Sequence, residues 1–381
     1  MQKDISNSNK KPIRIGIDAK WYFSGPASGK MVIRNLVNEL CKANTILELY
    51  IILDKKEVGL PLDFENPKVK KVYVWNGNNL LSNVFFVPFV AKKYDLDVVL
   101  YQTSVSLFGK HKKIAYIHDL IYISHPQYYT LFERIYLKPI KFLTKFSDFV
   151  ITVSNAEKKR FQHLAFTNKY IEVLHHGYDK LFQVIDGDYD IIASSEIKSK
   201  LQLNEKYILY VGRINSRKNI PNLLKAFQSI EDKQIKLILV GKREWKTDDL
   251  NSLLDDPSIS NRVIFSGSVS NEELSVIYSN AHIFCFPSFE EAFGLPPLEA
   301  MASGIPVVVS NSSSLPEVCG DAAIYVNANE PDEIAKAITR LLNDKDLYNE
   351  HKQLSVDRAK AFSWTITTQN LIGILEKRYV T

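Results

Sequence analysis

The chain of 381 residues is poor in sulfur, with three cysteines and three methionines. Cys41, Cys285 and Cys319 stand far apart. They lack the close spacing of a zinc site and the density of a disulfide scaffold. They read as small hydrophobes in a reducing cytoplasm. Long apolar runs are missing as well. None approaches the ~20 residues that span a bilayer, and residues 1–11 are polar, without an apolar signal region. Low-complexity tracts and short-period repeats are absent, which excludes disordered and solenoid architectures. No zinc-finger, RRM or KH pattern occurs, so nucleic acid is not the expected partner.

What is there is an ordinary globular composition, 45% hydrophobic and 24% charged. The length suits two domains of roughly 100–200 residues each. The net charge of +5 hides an asymmetry. Residues 1–185 hold 27 Lys and Arg against 16 Asp and Glu, and the remainder holds 21 against 27. A basic first half suits an anionic surface or substrate; a solvated, lysine-rich surface is the plain alternative.

Short apolar runs alternate with helical periodicity along the chain. Ile13–Ile17 is a strand ending in Asp18, followed by the loop Ser24–Gly29 and a helix expected over 31–43. Further buried strands are expected at 48–53, 69–75, 98–101, 114–117, 149–153 and 170–174. The polar, acidic stretch 183–200 reads as a linker into a helix. A second alternation then starts with the strand Tyr207–Gly212 and runs to a helix over 331–343. A terminal helix follows from Ser363, its expected N-cap. The pattern predicts an α/β protein of two Rossmann-like, doubly wound domains, 12–185 and 200–362. The helix over 363–381 is expected to pack back on the first domain. Ligands of such sheets bind outside the carboxyl ends of the strands.

Two strand ends carry the densest chemistry. After 207–212 come Gly212, Arg213 and Lys218, with Pro221 opening a helix. Two cations beside a helix N-terminus suit a diphosphate, or form a plain basic surface loop. After the apolar strand 283–286 come Glu291, Phe293, Gly294, Leu295 and Glu299. The two carboxylates could accept hydrogen bonds from hydroxyl groups, as sugars require; solvated acids at a capped helix are the alternative. Asp95/Asp97 and Asp186/Asp188 form Asp-x-Asp pairs of a kind that can bind metal, but the first precedes a strand and the second lies in the linker. No metal site is expected.

The span from Glu291 to Glu299 resembles the E-x7-E signature of the retaining glycosyltransferases of family 4, which have the two-domain GT-B fold. The similarity extends through Gly212-Arg213…Lys218, Gly267-Ser-Val269, Ser314-Leu-Pro-Glu317-Val and, in the first half, His118-Asp119-Leu120, Val153-Ser154 and His176-Gly177. It covers nearly the whole chain in the expected order. The resemblance implies two domains facing each other across a cleft. Arg213 and Lys218 would hold the diphosphate of a nucleotide sugar without a metal or other cofactor. Glu291 would touch the donor sugar, and Phe293, Gly294 and Leu295 would offer backbone amides. Glu299 would bind the ribose, Gly267–Val269 would border the base, and His118 and the loop ending at Gly29 would face the cleft from the other side. His176 is assigned no role.

Two departures from the family pattern stand out: Ala292 where glycine is usual, and Pro26 inside the first glycine-rich loop. The segment His118-Asp-Leu with His125-Pro126 nearby is most similar to O-antigen-type mannosyltransferases, which favours mannose over other hexoses. The implied activity is transfer of a hexose from a GDP- or UDP-linked donor to a saccharide or lipid-linked saccharide in cell-surface polysaccharide biosynthesis. A catalytically silent nucleotide-sugar-binding module of the same fold is the alternative. The aromatic and basic stretch Tyr128–Phe146 reads either as a core-facing helix with solvated lysines or as a face resting on an anionic membrane from the cytoplasmic side.

Overall fold

The computed structural model describes residues 12–64, 66–75, 77–183, 206–244 and 248–379. Nearly all of the expected linker 183–200, with the Asp186/Asp188 pair, lies outside them. The first domain holds strands β1 (Arg14–Asp18), β2 (Glu48–Asp54), β3 (Lys70–Val74), β4 (Val98–Gln102), β5 (Lys112–Tyr116), β6 (Phe149–Thr152) and β7 (Ile171–Val173). They form one sheet in the order β3-β2-β1-β4-β5-β6-β7, with every pairing parallel. The second domain holds β8 (Tyr207–Val211), β9 (Lys236–Val240), β10 (Val263–Gly267), β11 (Ile283–Phe286), β12 (Val307–Ser310) and β13 (Ala323–Val326), ordered β10-β9-β8-β11-β12-β13 and again parallel.

Burial explains why these segments are apolar without alternation. Along β2, Leu49, Ile51 and Leu53 enter one core, while Tyr50 and Ile52 enter another on the opposite face. A parallel sheet covered by helices on both sides requires this. The two α/β domains expected from the sequence are therefore present. In both sheets the order of strands reverses beside the first strand of the domain. Loops after β1 and β4, and after β8 and β11, diverge there and leave a crevice.

The first helix spans Ala27–Lys42, four residues longer at its start than the apolar periodicity indicated. Pro26, with φ −60°, precedes the first turn, and polar Ser28 and Gly29 are carried inside the helix. The terminal helix Trp364–Tyr379 starts from Ser363, whose Oγ accepts the Ile366 N–H at 3.1 Å. It lies against the first domain: Thr365 Oγ1 donates to Glu39 (2.9 Å), and Arg378 pairs with Glu172 (3.3 Å). Asp95 and Asp97 clasp Arg14 at the amino ends of the strands, the edge of the sheet away from the crevice.

Candidate active site

The site is built first from the loop after β8. Gly212, at φ +149°, turns the chain out of the strand, where a Cβ would stand 2.9 Å from the Tyr210 hydroxyl. A short turn Ser216–Lys218 leads to Asn219, which adopts the left-handed conformation (φ +60°) that asparagine tolerates. Asn219 is buried, and its amide donates to the carbonyls of Pro287 (2.9 Å) and Ala328 (2.6 Å). The loop after β8 is thereby fastened to the loop after β11. Lys218 is buried as a result. Its ammonium pairs with Glu291 Oε1 and lies 4.7 Å from the centre of the Phe286 ring.

Glu291 is held on all sides. Arg217 binds its other oxygen at 3.2 Å and donates to the Glu290 carbonyl. Ser288 Oγ donates to Glu291 Oε1 at 2.6 Å, and the Glu291 N–H donates to Ser313 Oγ at 2.8 Å. Ser314 Oγ donates to the Glu291 and Phe293 carbonyls (3.1 and 2.8 Å). Burial alone would push the Glu291 carboxyl up, but Lys218 and Arg217 outweigh it and hold the group at about 2. Burial pulls Lys218 down to about 8 against the opposing pull of Glu291. Its partial burial would lower Arg217, but Glu291 and its neighbours outweigh this and hold it above the usual guanidinium range. The arrangement is an anion already neutralised by two cations, Lys218 buried and Arg217 12% exposed, at the carboxyl ends of β8 and β11. Arg217 carried no signal in the sequence beyond its place beside Lys218. Arg213 stays at the rim, 60% exposed, paired with Glu244 at 3.2 Å.

Gly294, at φ +106°, caps the helix Leu295–Ala302, and its missing Cβ would stand 2.8 Å from Leu315 Cδ2. Pro296 and Pro297 have no N–H, so Leu295 is left as a backbone donor of the first turn. Glu299 projects from this helix into a buried position, where the Tyr278 hydroxyl donates to it at 3.0 Å. Burial raises its carboxyl to about 8. Gly267 ends β10 at φ +69°, beside a register shift in the ladder, with open space around it, and Val269 follows half-buried. Ala292 is not among the residues of positive φ, so its methyl group takes the place of the usual glycine without backbone strain.

The opposing wall comes from the first domain. His118 follows β5, lies 4.5 Å ring to ring from Tyr116, and contacts Gln102 Oε1 through Nε2 at 2.9 Å. Burial lowers it to about 4, so the imidazole is neutral at physiological pH. The next residues are anchored by Glu157, which accepts the Leu120 N–H at 3.0 Å. Gly29 lies against Trp21, where a Cβ would be 2.9 Å from the indole, and Gly25 meets the same ring. The glycines of this loop thus make room for Trp21, which stands 6.4 Å from His118. His176 is buried, as expected of a core histidine, and contacts the Tyr116 hydroxyl at 3.1 Å.

Carboxylates of the second domain join the walls. Glu290 meets Arg160 at 2.7 Å, and Arg160 also holds Glu157 at 2.8 Å. Glu317 accepts the N–H groups of Asn155 (2.8 Å) and Ala156 (3.0 Å), at the N-terminus of the helix Asn155–His163, and contacts His175 at 2.6 Å. Ser154 Oγ donates to the Ala292 carbonyl at 2.7 Å, and Phe293 packs 5.0 Å from His176. The loop carrying Glu291 is therefore braced from both domains. Two cavities, of about 540 and 670 Å³, lie instead along the terminal helix and are lined by none of the residues named for the site.

Comparison with known proteins agrees with the two-domain fold. Residues 31–180 match the Glycosyltransferase Family 4 domain, and residues 193–355 match the domain called Glycosyl transferases group 1. The O-antigen chain mannosyltransferase B of Escherichia coli is 40% identical over 169 residues, 43% of this chain and 44% of that protein. The serotype-specific mannosyltransferase WbdA of Escherichia coli is 27% identical over 67% of this chain and 32% of its own length. The chain thus matches less than half the length of these relatives. An Anabaena protein, HepE, solved with UDP and glucose, superposes with a TM-score of 0.72 at 16% identity, covering 96% of this chain and all of that one, a likeness of fold alone. With its two halves matching these two domains in order, on a GT-B architecture, the chain belongs to the glycosyltransferases.

Proposed function

We propose that this chain is a retaining hexosyltransferase that uses a nucleotide diphosphate sugar. The observation that carries the reading is the buried Lys218–Glu291–Arg217 cluster at the crevice of the second sheet. The diphosphate exchanges places with part of this internal ion pair. Lys218 turns from Glu291 to a phosphate oxygen, and Arg213 swings from the rim to a second. Glu291, relieved of one cation, accepts hydrogen bonds from the donor sugar's hydroxyls. Leu295 N–H meets the phosphate, and Glu299 takes the ribose hydroxyls. These groups neutralise the leaving diphosphate in place of a metal ion.

The resemblance to the retaining family implies that the acceptor attacks the face that the diphosphate leaves. The bond from the anomeric carbon to the phosphate oxygen breaks with its electron pair staying on the phosphate. The acceptor oxygen bonds to the same face, and its proton passes to the departing phosphate. His118, neutral and facing the cleft, positions the sugar. Charge stabilisation by preorganised donors supplies about 3–4 kcal/mol for each well-placed group.

Mannose as the sugar, and a growing saccharide or lipid-linked saccharide of a surface polysaccharide as acceptor, follow from the named activity of the E. coli relatives. UDP in HepE and the mannosyl activity of the relatives leave a GDP- or UDP-linked donor. The work is done in the cytoplasm. Purified protein is given a panel of nucleotide sugars with an oligosaccharide acceptor, and nucleoside diphosphate release and product anomeric configuration are read. Lys218→Ala and Glu291→Ala are each expected to lower turnover of the folded protein by about 10²–10³-fold, with a lowered melting temperature because each leaves a buried charge of the cluster unpaired. Near-normal rates in either, or an inverted product, overturn the assignment.

A further inference from the structure

The first domain carries an apolar face that its own core does not cover. The helix Leu131–Leu137 is apolar at five of seven positions, yet none of its residues is buried. Leu131, Phe132 and Ile135 are 68%, 77% and 62% exposed. The next helix, Pro139–Thr144, buries Ile140 and Leu143 and leaves Phe142 exposed; Phe146, just beyond it, is exposed as well. Tyr136 lies beside the Leu80 backbone and joins this pair of helices to the segment in which Phe85 and Phe89 are exposed. Twelve of the seventeen exposed large hydrophobic side chains of the described residues fall within 75–146. A soluble surface does not concentrate them so; a covered one does.

Charge identifies the cover. Residues 131–146 hold four Lys and Arg against one acid, Glu133. Glu133 closes the capping box of Thr130. Arg134, Lys138 and Lys145 are exposed between the aromatics and, among the described residues, pair with no carboxylate. Two copies of a basic face repel each other, so self-association is disfavoured. Protruding aromatic and leucine side chains interleaved with lysines, on short helices rather than in a groove, match the interface of an anionic bilayer. No described helix is long and apolar enough to cross a membrane. The face also adjoins the site. Tyr129, one residue before the cap of the helix, hydrogen-bonds Asp119 at 3.4 Å, beside His118.

We propose that Leu131–Phe146, with the adjoining Phe85–Phe89 segment, is the surface by which this glycosyltransferase rests on anionic phospholipid, with the cleft opening toward the headgroups. The corollary, that the acceptor is presented by a lipid in the same leaflet, rests on the acceptor reading above; the docking itself does not.

The test is flotation of the full chain with phosphatidylcholine vesicles, with and without phosphatidylglycerol. Binding is expected only with phosphatidylglycerol, with release by raised salt. The double variant Phe132→Ser/Ile135→Ser, and separately the charge reversal Lys138→Glu/Lys145→Glu, are each expected to weaken binding about tenfold or more. Turnover of a water-soluble acceptor by both variants stays unchanged, so a failure of the catalytic reading shows separately. Absence of binding to phosphatidylglycerol vesicles, or undiminished binding by both variants, overturns the proposal. So does concentration-dependent dimerisation in sedimentation velocity that the double variant abolishes, because it assigns the face to a second copy.

Discussion

Lys218 is the residue where charge, burial and function meet. In the proposed role it carries a proton to hold a phosphate, and burial lowers it to about 8. Below that pH it is a cation; above it the free protein loses the charge. Since kcat/KM reports ionisations of the free enzyme, kcat/KM for the donor is expected to fall about tenfold per pH unit above about 8. A profile flat to pH 10 would show that Lys218 is not the group engaged. Lys218, Glu291 and Glu299 were legible in the sequence because each lies just after a strand in a motif of fixed spacing. Arg217 was not. Its role depends on a contact with a carboxylate 74 residues away, which no local pattern encodes. The contacts by which the Ser288, Ser313 and Ser314 hydroxyls hold the Glu291 loop were not legible for the same reason, although Ser314 stood in the motif Ser314-Leu-Pro-Glu317-Val.

At the scale of the element, the turn from β11 into the helix Leu295–Ala302 depends on Gly294. Its φ of +106° and its approach to Leu315 leave no room for a side chain. Gly294→Ala is expected to cost about 1–3 kcal/mol of stability, seen as a lowered melting temperature. It also displaces the Leu295 N–H, so the donor KM rises more than kcat falls. An unchanged melting temperature and KM would contradict the cap geometry. Strand positions were readable to within a residue or two, because buried parallel strands are short, wholly apolar runs. The start of the first helix was not, since Ser28 and Gly29 weaken its periodicity while Pro26 sets its first turn.

Across the whole molecule, Glu317 and Glu290 join the second domain to the first. Glu317 caps a helix of the other domain. Burial pushes its carboxyl up, but His175 and the Asn155 and Ala156 N–H groups outweigh this and hold it at about 2. Its folded-state value lies below its ordinary one, so the bond contributes at neutral pH and is lost only as pH falls toward 2. Glu317→Ala is expected to loosen the closed arrangement. The radius of gyration by small-angle scattering should rise, and kcat/KM should fall about tenfold or more, for the loss of several charge-assisted hydrogen bonds. Unchanged scattering would mean that other contacts suffice. Glu317 was visible in the sequence as part of Ser314-Leu-Pro-Glu317-Val, but its partner in the first domain was not.

The order of strands and helices, the two-domain division and the charged positions of the proposed anion site were set by local chemistry: apolar runs, glycine and proline at turns, charged residues after strands. These signals act between near neighbours, so they survive in one dimension. The tertiary structure decided which cation faces Glu291, which glycines yield to Trp21, and which carboxylates span the cleft. It also decided that the helix Leu131–Leu137 faces outward. Each of these depends on groups far apart in the chain, or on the presence or absence of a neighbour, and packing alone supplies that.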